Sequence, residues 1–304
     1  MIAAIVNPRA GSGAAGRRWP LAARILAERL GPLEARFTKG PGHATALARE
    51  LARAGCGLLI AAGGDGTLNE IVNGLLAESS DARIGLLPLA SGGDFARTLG
   101  VSRLASAMNA LVAGEARPVD AFRARFRGSG GVPAERCFLN EASFGLGAVV
   151  ARSVRRWPRI VPGSARYLAA ALPALASGRS YRVTIRRDDA PPAAFDITTA
   201  AVANGQYQGG GIRIAPEAAL DDGFAEVTVV ERVSLATVTA NLPILYSGAI
   251  YSHPKVHHWR AARLRVEAEA PVPLELDGEP VGTLPLEVDV LPQAVRVVFP
   301  AAEG

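Results

Sequence analysis

Short apolar runs alternate with stretches of helical spacing through the first third of the chain. Residues 58–62 form an apolar run of strand length, and Leu68, Ile71 and Leu75 then recur at the spacing of a helix face. Repeated units of strand and helix predict a parallel sheet that is covered by helices on both faces. The predicted strands are Ile2–Val6, 33–37, 58–62 and Arg83–Pro88, and the predicted helices are 17–30, 43–54 and one around Ile71.

The pattern changes near residue 120, where alternating apolar and polar positions begin to predominate. Such alternation is typical of strands with one buried face, and many such runs predict an antiparallel sandwich. We therefore predict an α/β domain over 1–121 and a β-rich domain over 122–304, with a ligand in the cleft between them. The predicted strands of the second domain are Tyr181–Arg187, 194–203, 225–230, Arg263–Glu267, 284–290 and 294–299.

A stretch without charged residues, 233–253, raises the question of a membrane span. It contains Ser234, Thr237 and Asn241, and this polarity does not suit the hydrocarbon core of a bilayer. We predict a part-buried helix that ends near Gly248.

Composition and charge narrow the class of protein less than the pattern does. Of 304 residues, 49% are hydrophobic, and the net charge of +5 suits ATP, anionic lipid or nucleic acid equally. Cys56 and Cys137 have no partner spaced for zinc or a redox pair, so we expect core thiols in a cytoplasmic protein. The first residues lack the pattern of a signal peptide. Scattered arginines without a recognition motif argue against a nucleic-acid partner.

The turn before the helix around Ile71 has the chemistry of a phosphate site. Gly63, Gly64 and Gly66 leave backbone N–H groups accessible at a helix N-terminus, where anions bind. Asp65 would repel a phosphate unless a divalent cation lay between them, so we interpret Asp65 as linked to magnesium. The alternative is that Asp65 is the helix N-cap and the glycines only make a tight turn.

Two further loops of the α/β half follow predicted strands. Segment 7–13, NPRAGSG, offers amide, hydroxyl and backbone donors for a phosphate. Segment 88–100, PLASGGDFARTLG, supplies Ser91, two glycines and Asp94 before a helix. Either loop alone is a weak indication of nucleotide binding.

Two acidic loops lie in the β-rich half. Segment 204–223 has three successive glycines and then Asp221 and Asp222, which repel each other unless they are solvated or metal-bound. Segment 274–282 contains an Asp-Gly-Glu turn that ends at Glu279. The alternatives are an ordinary turn for the first loop and a surface hairpin for the second.

The five loops, taken in order, resemble those of the diacylglycerol kinase catalytic domain family, which includes bacterial diacylglycerol kinases and sphingosine and ceramide kinases. GGDGTLNEIVNGL is close to the family's GGDGTxNEVxNGL, ASGGDFAR is similar to GTGNDFAR, and GGGIRIAPEAALDDG and DGE match later motifs. The resemblance covers essentially the whole chain. It implies an α/β nucleotide-binding domain similar to NAD kinases and phosphofructokinases, followed by a β-rich lipid-substrate domain.

The resemblance also implies roles for individual residues. Glu279 aligns with the general base, Asp65 with the acid of the magnesium and phosphate network, and Asp120 with a second acid that supports it. The residues implied to contact ATP are Asn7, Ser12, Thr38, Gly63, Gly64, Asp65, Gly66, Thr67, Asn69 and Ser91, and those implied to bind a structural metal are Asp222 with the backbone carbonyls of Ala219 and Phe224.

The implied function is an ATP- and magnesium-dependent lipid kinase that phosphorylates a lipid hydroxyl, with diacylglycerol as acceptor and phosphatidic acid as product. The alternatives are an NAD kinase-like enzyme and a non-catalytic nucleotide- or lipid-binding protein. Ala90 and Gly93 motivate the last alternative, since they replace a glycine and an asparagine of the family's GTGND. The basic and aromatic segment 151–168 predicts peripheral contact with an anionic membrane surface, and a solvated basic helix is the alternative.

Overall fold

The computed structural model describes residues 1–90, 93–154 and 163–301. The chain folds as two compact units, and the break between them lies close to the predicted domain boundary at residue 121. The first unit is Met1–Val119 with Gln293–Gly304, and the second is Asp120–Pro292.

The end of the chain differs from the predicted domain division, which assigns 122–304 entirely to the second domain. Arg296 and Val297 pair in parallel with Arg83 and Ile84, and this pairing places the last strand segment in the first unit. The sequence did not predict this pairing because the partner strand lies more than two hundred residues earlier in the chain, and local patterns do not indicate contacts between such distant segments.

The first unit is built from repeated strand–helix connections. Its strands pair in parallel, with β1 next to β2 and β3, and with β3 next to β4. All six residues of β3 are buried, whereas β2 is mostly exposed and has β1 as its neighbour. The elements are β1 (Ile2–Val6), α1 (Ala14–Leu30), β2 (Glu34–Phe37), α2 (His43–Arg53), β3 (Leu58–Gly63), α3 (Asp65–Ala77), β4 (Arg83–Pro88), α4 (Asp94–Thr98) and α5 (Leu104–Ala113).

Helices α2 and α3 pack closely, and a glycine makes the approach possible. A Cβ added at Gly74 would lie 2.6 Å from both the Cβ of Ala48 and the backbone oxygen of Thr45. Any larger residue at position 74 would push the two helices apart. The NEIVNGL motif therefore includes a packing residue as well as candidate site residues.

The second unit consists mainly of antiparallel strands around one large apolar core, and two smaller apolar clusters lie beside it. Phe122, Phe138 and Phe144 are among its fully buried side chains, and the first two meet edge to face with ring centroids 5.1 Å apart. The elements are β5 (Ala116–Gly128), β6 (Pro133–Phe138), β7 (Glu141–Gly145), α6 (Leu146–Val154), α7 (Gly163–Ala176), β8 (Tyr181–Arg187), β9 (Ala193–Ala203), β10 (Ala225–Glu231), α8 (Leu235–Ala240), α9 (Leu242–Ser247), β11 (Val256–Ala261), β12 (Arg263–Glu267), β13 (Pro273–Leu276) and β14 (Glu279–Val298).

Strand β14 is continuous where the sequence predicts two strands, 284–290 and 294–299. Pro292 and Gln293 interrupt the alternation between those runs, and Gln293 takes a positive φ of 51°. The strand nevertheless continues, because its successive segments pair with β13, β12 and β4.

The uncharged segment 233–253 forms two short helices, α8 and α9, rather than one. Asn241 separates them, and Pro243 in the first turn of α9 has no N–H to continue the earlier helix. Helix α9 ends before Gly248, which has a φ of 88°, so the predicted end of the helix is confirmed. Among the described residues, none of the helices has the length and apolar character needed to cross a membrane.

Candidate active site

The loops predicted to bind nucleotide in the first unit lie at one edge of its sheet. They follow β1, β2, β3 and β4, which are neighbours in parallel, and the carboxyl ends of such strands are where ligands bind in α/β sheets. The backbone N–H of Asn7 donates to the oxygen of Ala62 at 3.0 Å, and that of Thr38 donates to the oxygen of Val6 at 2.9 Å. Asn7 therefore begins its loop beside the glycine turn, and Thr38 begins its loop on the other side of β1.

The glycine turn between β3 and α3 has a backbone that only glycine permits. A Cβ at Gly63 would lie 2.5 Å from the hydroxyl oxygen of Thr67. That hydroxyl accepts a hydrogen bond from the side-chain amide of Asn7 at 3.2 Å, and the carboxamide oxygen of Asn69 accepts one from Asn73 at 3.2 Å. Thr67 and Asn69 are buried and take part in bonds within the protein, and their contact with a nucleotide stays a prediction.

Asp65 joins two of the predicted loops. One of its carboxylate oxygens accepts the backbone N–H of Asp94 at 3.0 Å, which links the start of α3 to the start of α4. Gly64, not Asp65, occupies the N-cap position of α3, so the alternative that made Asp65 the N-cap is wrong. A cavity of about 20 Å³ beside Asp65 is lined by Gly64, Pro88 and other residues, and a water molecule or a small ion fits that space.

Loop 7–13 approaches the loop that follows β4. Gly11 has a φ of +58°, and a Cβ there would lie 2.9 Å from the Cα of Ala90. Ser12, also with a positive φ of 59°, is exposed. Ala90, one of the two departures from the family motif, thus lies against the loop that carries Ser12. Ser91 lies outside the described residues.

Glu70 has a position that the sequence analysis did not single out. Its two carboxylate oxygens accept the backbone N–H groups of Gly42 at 2.8 Å and Ala44 at 2.9 Å. These groups lie at the N-terminus of α2, where a carboxylate is favourable because the N–H groups have no partner within the helix. The acid of the NEIVNGL motif therefore caps a neighbouring helix.

In the second unit, the Asp-Gly-Glu turn is held by a buried carboxylate. Asp277 has a φ of 47° and accepts three backbone N–H groups, from Leu139 at 3.2 Å, Asn140 at 2.9 Å and Glu141 at 3.0 Å. Its own N–H donates to the oxygen of Glu141 at 2.8 Å. The first acid of the turn thus has an architectural role that sequence reasoning missed.

Asp120 belongs to the same polar network as the acidic loop 204–223. Its carboxylate accepts the N–H of Gly223 at 2.7 Å, and its own N–H donates to the oxygen of Leu220 at 2.7 Å. The side-chain amide of Asn204 donates to the backbone oxygens of Asp120 at 2.9 Å and Leu139 at 3.0 Å. Asp120 is fully buried, and the network links its strand to the residues that Asp277 holds.

At the predicted structural metal site, the carboxylate of Asp222 is paired with an arginine. Asp222 accepts the N–H of Phe224 at 3.0 Å with one oxygen and forms an ion pair with Arg260 through the other. The Arg260 guanidinium also lies 4.8 Å from the centroid of the Phe224 ring. The carboxylate of Asp222 and the backbone oxygens of Ala219 and Phe224 suit a hard cation, and Arg260 would compete with that cation. Metal binding here stays a prediction.

Glu279, the predicted general base, begins β14 and is partly exposed. Its carboxylate accepts a hydrogen bond from Arg136 of β6 at 2.9 Å. Behind the turn, Glu275 accepts the Ser143 hydroxyl at 2.6 Å and the Gly278 N–H at 2.6 Å. Burial raises the pKa of the Glu275 carboxyl, so a proton on this group is favoured inside the fold. Arg136 is a charged neighbour of Glu279 that no motif indicated.

Replacing Asp277 with alanine is expected to destabilise the second unit by about 3 kcal/mol. The three buried N–H groups would lose their acceptor, and each such loss costs about 1–3 kcal/mol. Urea unfolding followed by far-UV circular dichroism, which reports the loss of the strands, measures the change. Asp221→Ala is the matched control, because Asp221 is exposed in a neighbouring acidic loop and is expected to change stability by less than about 0.5 kcal/mol. A loss below about 1 kcal/mol for Asp277→Ala would contradict the assigned role.

The two halves of the chain match two family models. Residues 1–124 match the diacylglycerol kinase catalytic domain, and residues 140–299 match the YegS C-terminal NAD kinase beta sandwich-like domain. The chain belongs to the diacylglycerol kinase catalytic domain family. These matches confirm the predicted family and the two-domain NAD kinase-like architecture. They also confirm that the protein is a phosphotransferase of the lipid kinase type.

Individual members of the family support this assignment. The chain is 31% identical to a probable lipid kinase YegS-like of Pseudomonas aeruginosa, over 88% of this chain and 85% of that protein. It is 30% identical to a diacylglycerol kinase of Bacillus subtilis, over 85% of this chain and 83% of that protein. A putative diacylglycerol kinase from Bacillus anthracis is similar in structure, with a TM-score of 0.78, 25% identity and coverage of 98% and 96%. An NAD kinase from Archaeoglobus fulgidus shares the fold, with a TM-score of 0.50, 14% identity and coverage of 100% and 94%.

Residues 155–162 of the basic segment 151–168, which is predicted to contact membranes, lie outside the described residues. Arg152, at the end of α6, is exposed, whereas Arg155, Arg156 and Arg159 are not among the described residues. Membrane contact of this family member stays a prediction.

Proposed function

We propose that this protein transfers the γ-phosphoryl group of ATP, with Mg²⁺ as cofactor, to the hydroxyl of a lipid, and that diacylglycerol is the acceptor. The observation that carries the lipid acceptor is an apolar cavity of about 110 Å³ in the second unit. Its lining residues come from α6, α7, α8, α9 and the adjoining strands, and those that the structure describes include no charged side chain. They include Leu146, Val150, Leu175, Val230, Val238 and Leu245.

Such a cavity favours an acyl chain over a polar acceptor. Transfer of apolar surface from water into an apolar site is favourable by about 0.8 kcal/mol per methylene. An NAD molecule presents phosphates and ribose hydroxyls, which would lose hydrogen bonds to water and meet mostly apolar side chains in this cavity. The cavity therefore supports the lipid kinase hypothesis over the NAD kinase-like alternative.

The proposed phosphoryl transfer assigns one step to each acid. The Glu279 carboxylate accepts the proton of the lipid hydroxyl as its oxygen forms the new bond to the γ-phosphorus. The bond from that phosphorus to the oxygen bridging to the β-phosphate breaks, and ADP leaves with the electron pair. Asp65 is the residue of the first unit that would hold Mg²⁺. When bound, this ion supplies positive charge that stabilises the charge on the leaving phosphates.

Incubation with γ-labelled ATP and Mg²⁺ tests the function directly. One reaction receives a total membrane lipid extract that includes diacylglycerol, and a parallel reaction receives NAD. We expect label in phosphatidic acid and none in NADP. Label in NADP alone would overturn the lipid acceptor, and nucleotide binding without transfer to any lipid would favour the non-catalytic alternative.

Filling the cavity is expected to weaken use of long-chain lipids. Val150, on α6, lines the cavity and is almost fully buried, so Val150→Trp inserts a ring where the acyl chain would lie. We expect the KM for dioleoylglycerol to rise by about tenfold, equivalent to about 1.4 kcal/mol, with the KM for ATP unchanged. Leu172→Trp on α7 is the matched control, because Leu172 is 40% exposed. Equal KM values for the two variants would argue against an acyl chain in this cavity.

A further inference from the structure

A second group of metal-ligating side chains lies on β10, β11 and the loop before them. Glu217, Glu226 and His258 each present one ligand atom, and these atoms lie within 4.8 Å of one another. The Glu226 side chain is only 3% exposed and that of His258 is 37% exposed. Glu217 is exposed, which leaves the group accessible from one side. None of these residues takes part in the proposed phosphoryl transfer.

The separation of the two best-placed ligand atoms suits an ion between them. The Nδ1 atom of His258 lies 3.5 Å from a carboxylate oxygen of Glu226, which is at the limit of a hydrogen bond. Two atoms that bind one tetrahedral Zn²⁺ at its usual distances lie about 3.3 Å apart. On the same strand pair, the Nε2 atom of His257 lies 2.7 Å from a carboxylate oxygen of Glu231, which is the distance of an ordinary hydrogen bond.

One tyrosine orients both ligands. The Tyr251 hydroxyl donates to the Glu226 carboxylate at 3.0 Å, and its ring stacks on the His258 imidazole with centroids 3.7 Å apart and planes at 6°. The Thr228 hydroxyl, 3.1 Å from the phenol oxygen, donates to the oxygen of Ile214 at 2.9 Å. Hydrogen-bonded partners of this kind fix ligands in metal sites.

The charge of the group also favours a divalent cation. Glu226 is a buried carboxylate next to a second carboxylate, Glu217, and its ion-pair partner in the described part of the chain is an imidazole rather than a guanidinium or an ammonium. The nearby Arg260 pairs with Asp222 instead. A buried carboxylate without a strong positive partner is costly to ionise, and a divalent ion would offset that cost for both carboxylates.

We propose that Glu217, Glu226 and His258 form a Zn²⁺ site in the second unit. An imidazole nitrogen with two carboxylate oxygens suits zinc, whereas Mg²⁺ and Ca²⁺ take sets of oxygen ligands such as the one predicted at Asp222. The ion would tie the loop of Glu217 to β10 and β11. Because this arrangement of ligands exists only in the folded chain, Zn²⁺ binding would stabilise the fold.

Calorimetric titration of the full-length protein, stripped of metals with a chelator, tests this site. ZnCl₂ is added in the presence of excess Mg²⁺, which occupies sites made of oxygen ligands. We expect one Zn²⁺ per chain in the unmodified protein, and at least about tenfold weaker binding in Glu217→Gln and His258→Gln. Because Glu217 is exposed, we expect Glu217→Gln to fold, so this variant tests the site even if His258→Gln does not fold. His257→Gln is the matched control, and we expect it to bind as the unmodified protein does.

Cobalt provides a second readout of the same site. Co²⁺ in a nitrogen- and oxygen-ligated site absorbs visible light, and we expect the band in the unmodified protein and in His257→Gln but not in His258→Gln. The inference is overturned if the unmodified protein binds no Zn²⁺, or if Glu217→Gln and His258→Gln bind it as tightly as the control. Because neither measurement involves ATP or lipid, the outcome is independent of the proposed kinase activity.

Discussion

Replacing Asp65 with asparagine is expected to lower kcat by about 10³-fold without unfolding the protein. Charge stabilisation by a metal ion supplies several kcal/mol to phosphoryl transfer, and each 1.36 kcal/mol is a factor of ten in rate. Asparagine keeps a side-chain oxygen that can accept the N–H of Asp94, the bond that Asp65 makes in the structure. The substitution therefore removes the charge and retains the link between α3 and α4.

Steady-state rates at several Mg²⁺ concentrations, together with thermal unfolding, measure this effect. We expect the melting temperature to stay within a few degrees of that of the unmodified protein, and we expect high Mg²⁺ not to restore the rate. Asp81→Asn is a suitable control, because Asp81 is an exposed acid of the same unit. A rate within tenfold of normal would show that Asp65 serves only to hold the two loops together.

Replacing Glu279 with glutamine is also expected to lower kcat by about 10³-fold, because a general base contributes about 10²–10⁴-fold to proton transfer. Glutamine has nearly the same shape, and its oxygen can still accept the hydrogen bond from Arg136. The turn itself depends on Asp277 and Glu275, which the substitution does not touch. The loss of rate would therefore report the missing base.

Nucleotide binding separates this effect from a general loss of the site. Titration with an ATP analogue is expected to give the same Kd for Glu279→Gln as for the unmodified protein, whereas the rate of lipid phosphorylation falls. Glu267→Gln is the matched control, because Glu267 is an exposed glutamate on another strand of the unit. A normal kcat for Glu279→Gln would remove Glu279 from the mechanism and leave Asp120 as the remaining candidate acid of the second unit.

Arg136 and Glu70 show where motif reasoning stops. Glu70 lies within the GGDGTLNEIVNGL motif, yet its carboxylate caps α2 by accepting N–H groups that are 26 and 28 residues away along the chain. Arg136 has no motif around it and meets Glu279 from 143 residues away. A residue pattern indicates the neighbours of a side chain within a turn or two, but it does not indicate which remote strand will lie beside it.

Local sequence patterns were sufficient to predict the elements whose cause is local. Ile2–Val6 and Arg83–Pro88 have the predicted strand bounds, and the helix after residue 42 begins where expected. Gly248 ends α9 with a positive φ, a conformation that glycine adopts because it has no side chain. This preference belongs to the residue itself and can be predicted from the sequence. The order of the five loops, a property of the sequence alone, was sufficient to place the chain in its family.

Features that depend on the path of the chain could be identified only from the folded structure. The folded structure pairs Arg296 and Val297 with β4, makes one strand of Glu279–Val298, brings Arg260 into an ion pair with Asp222, and gives Asp277 three backbone N–H groups as donors. The physical reason is that the free energy of such contacts comes from burial and pairing between segments far apart in sequence. Bringing such distant segments together costs chain entropy, which burial of apolar surface across the whole fold offsets.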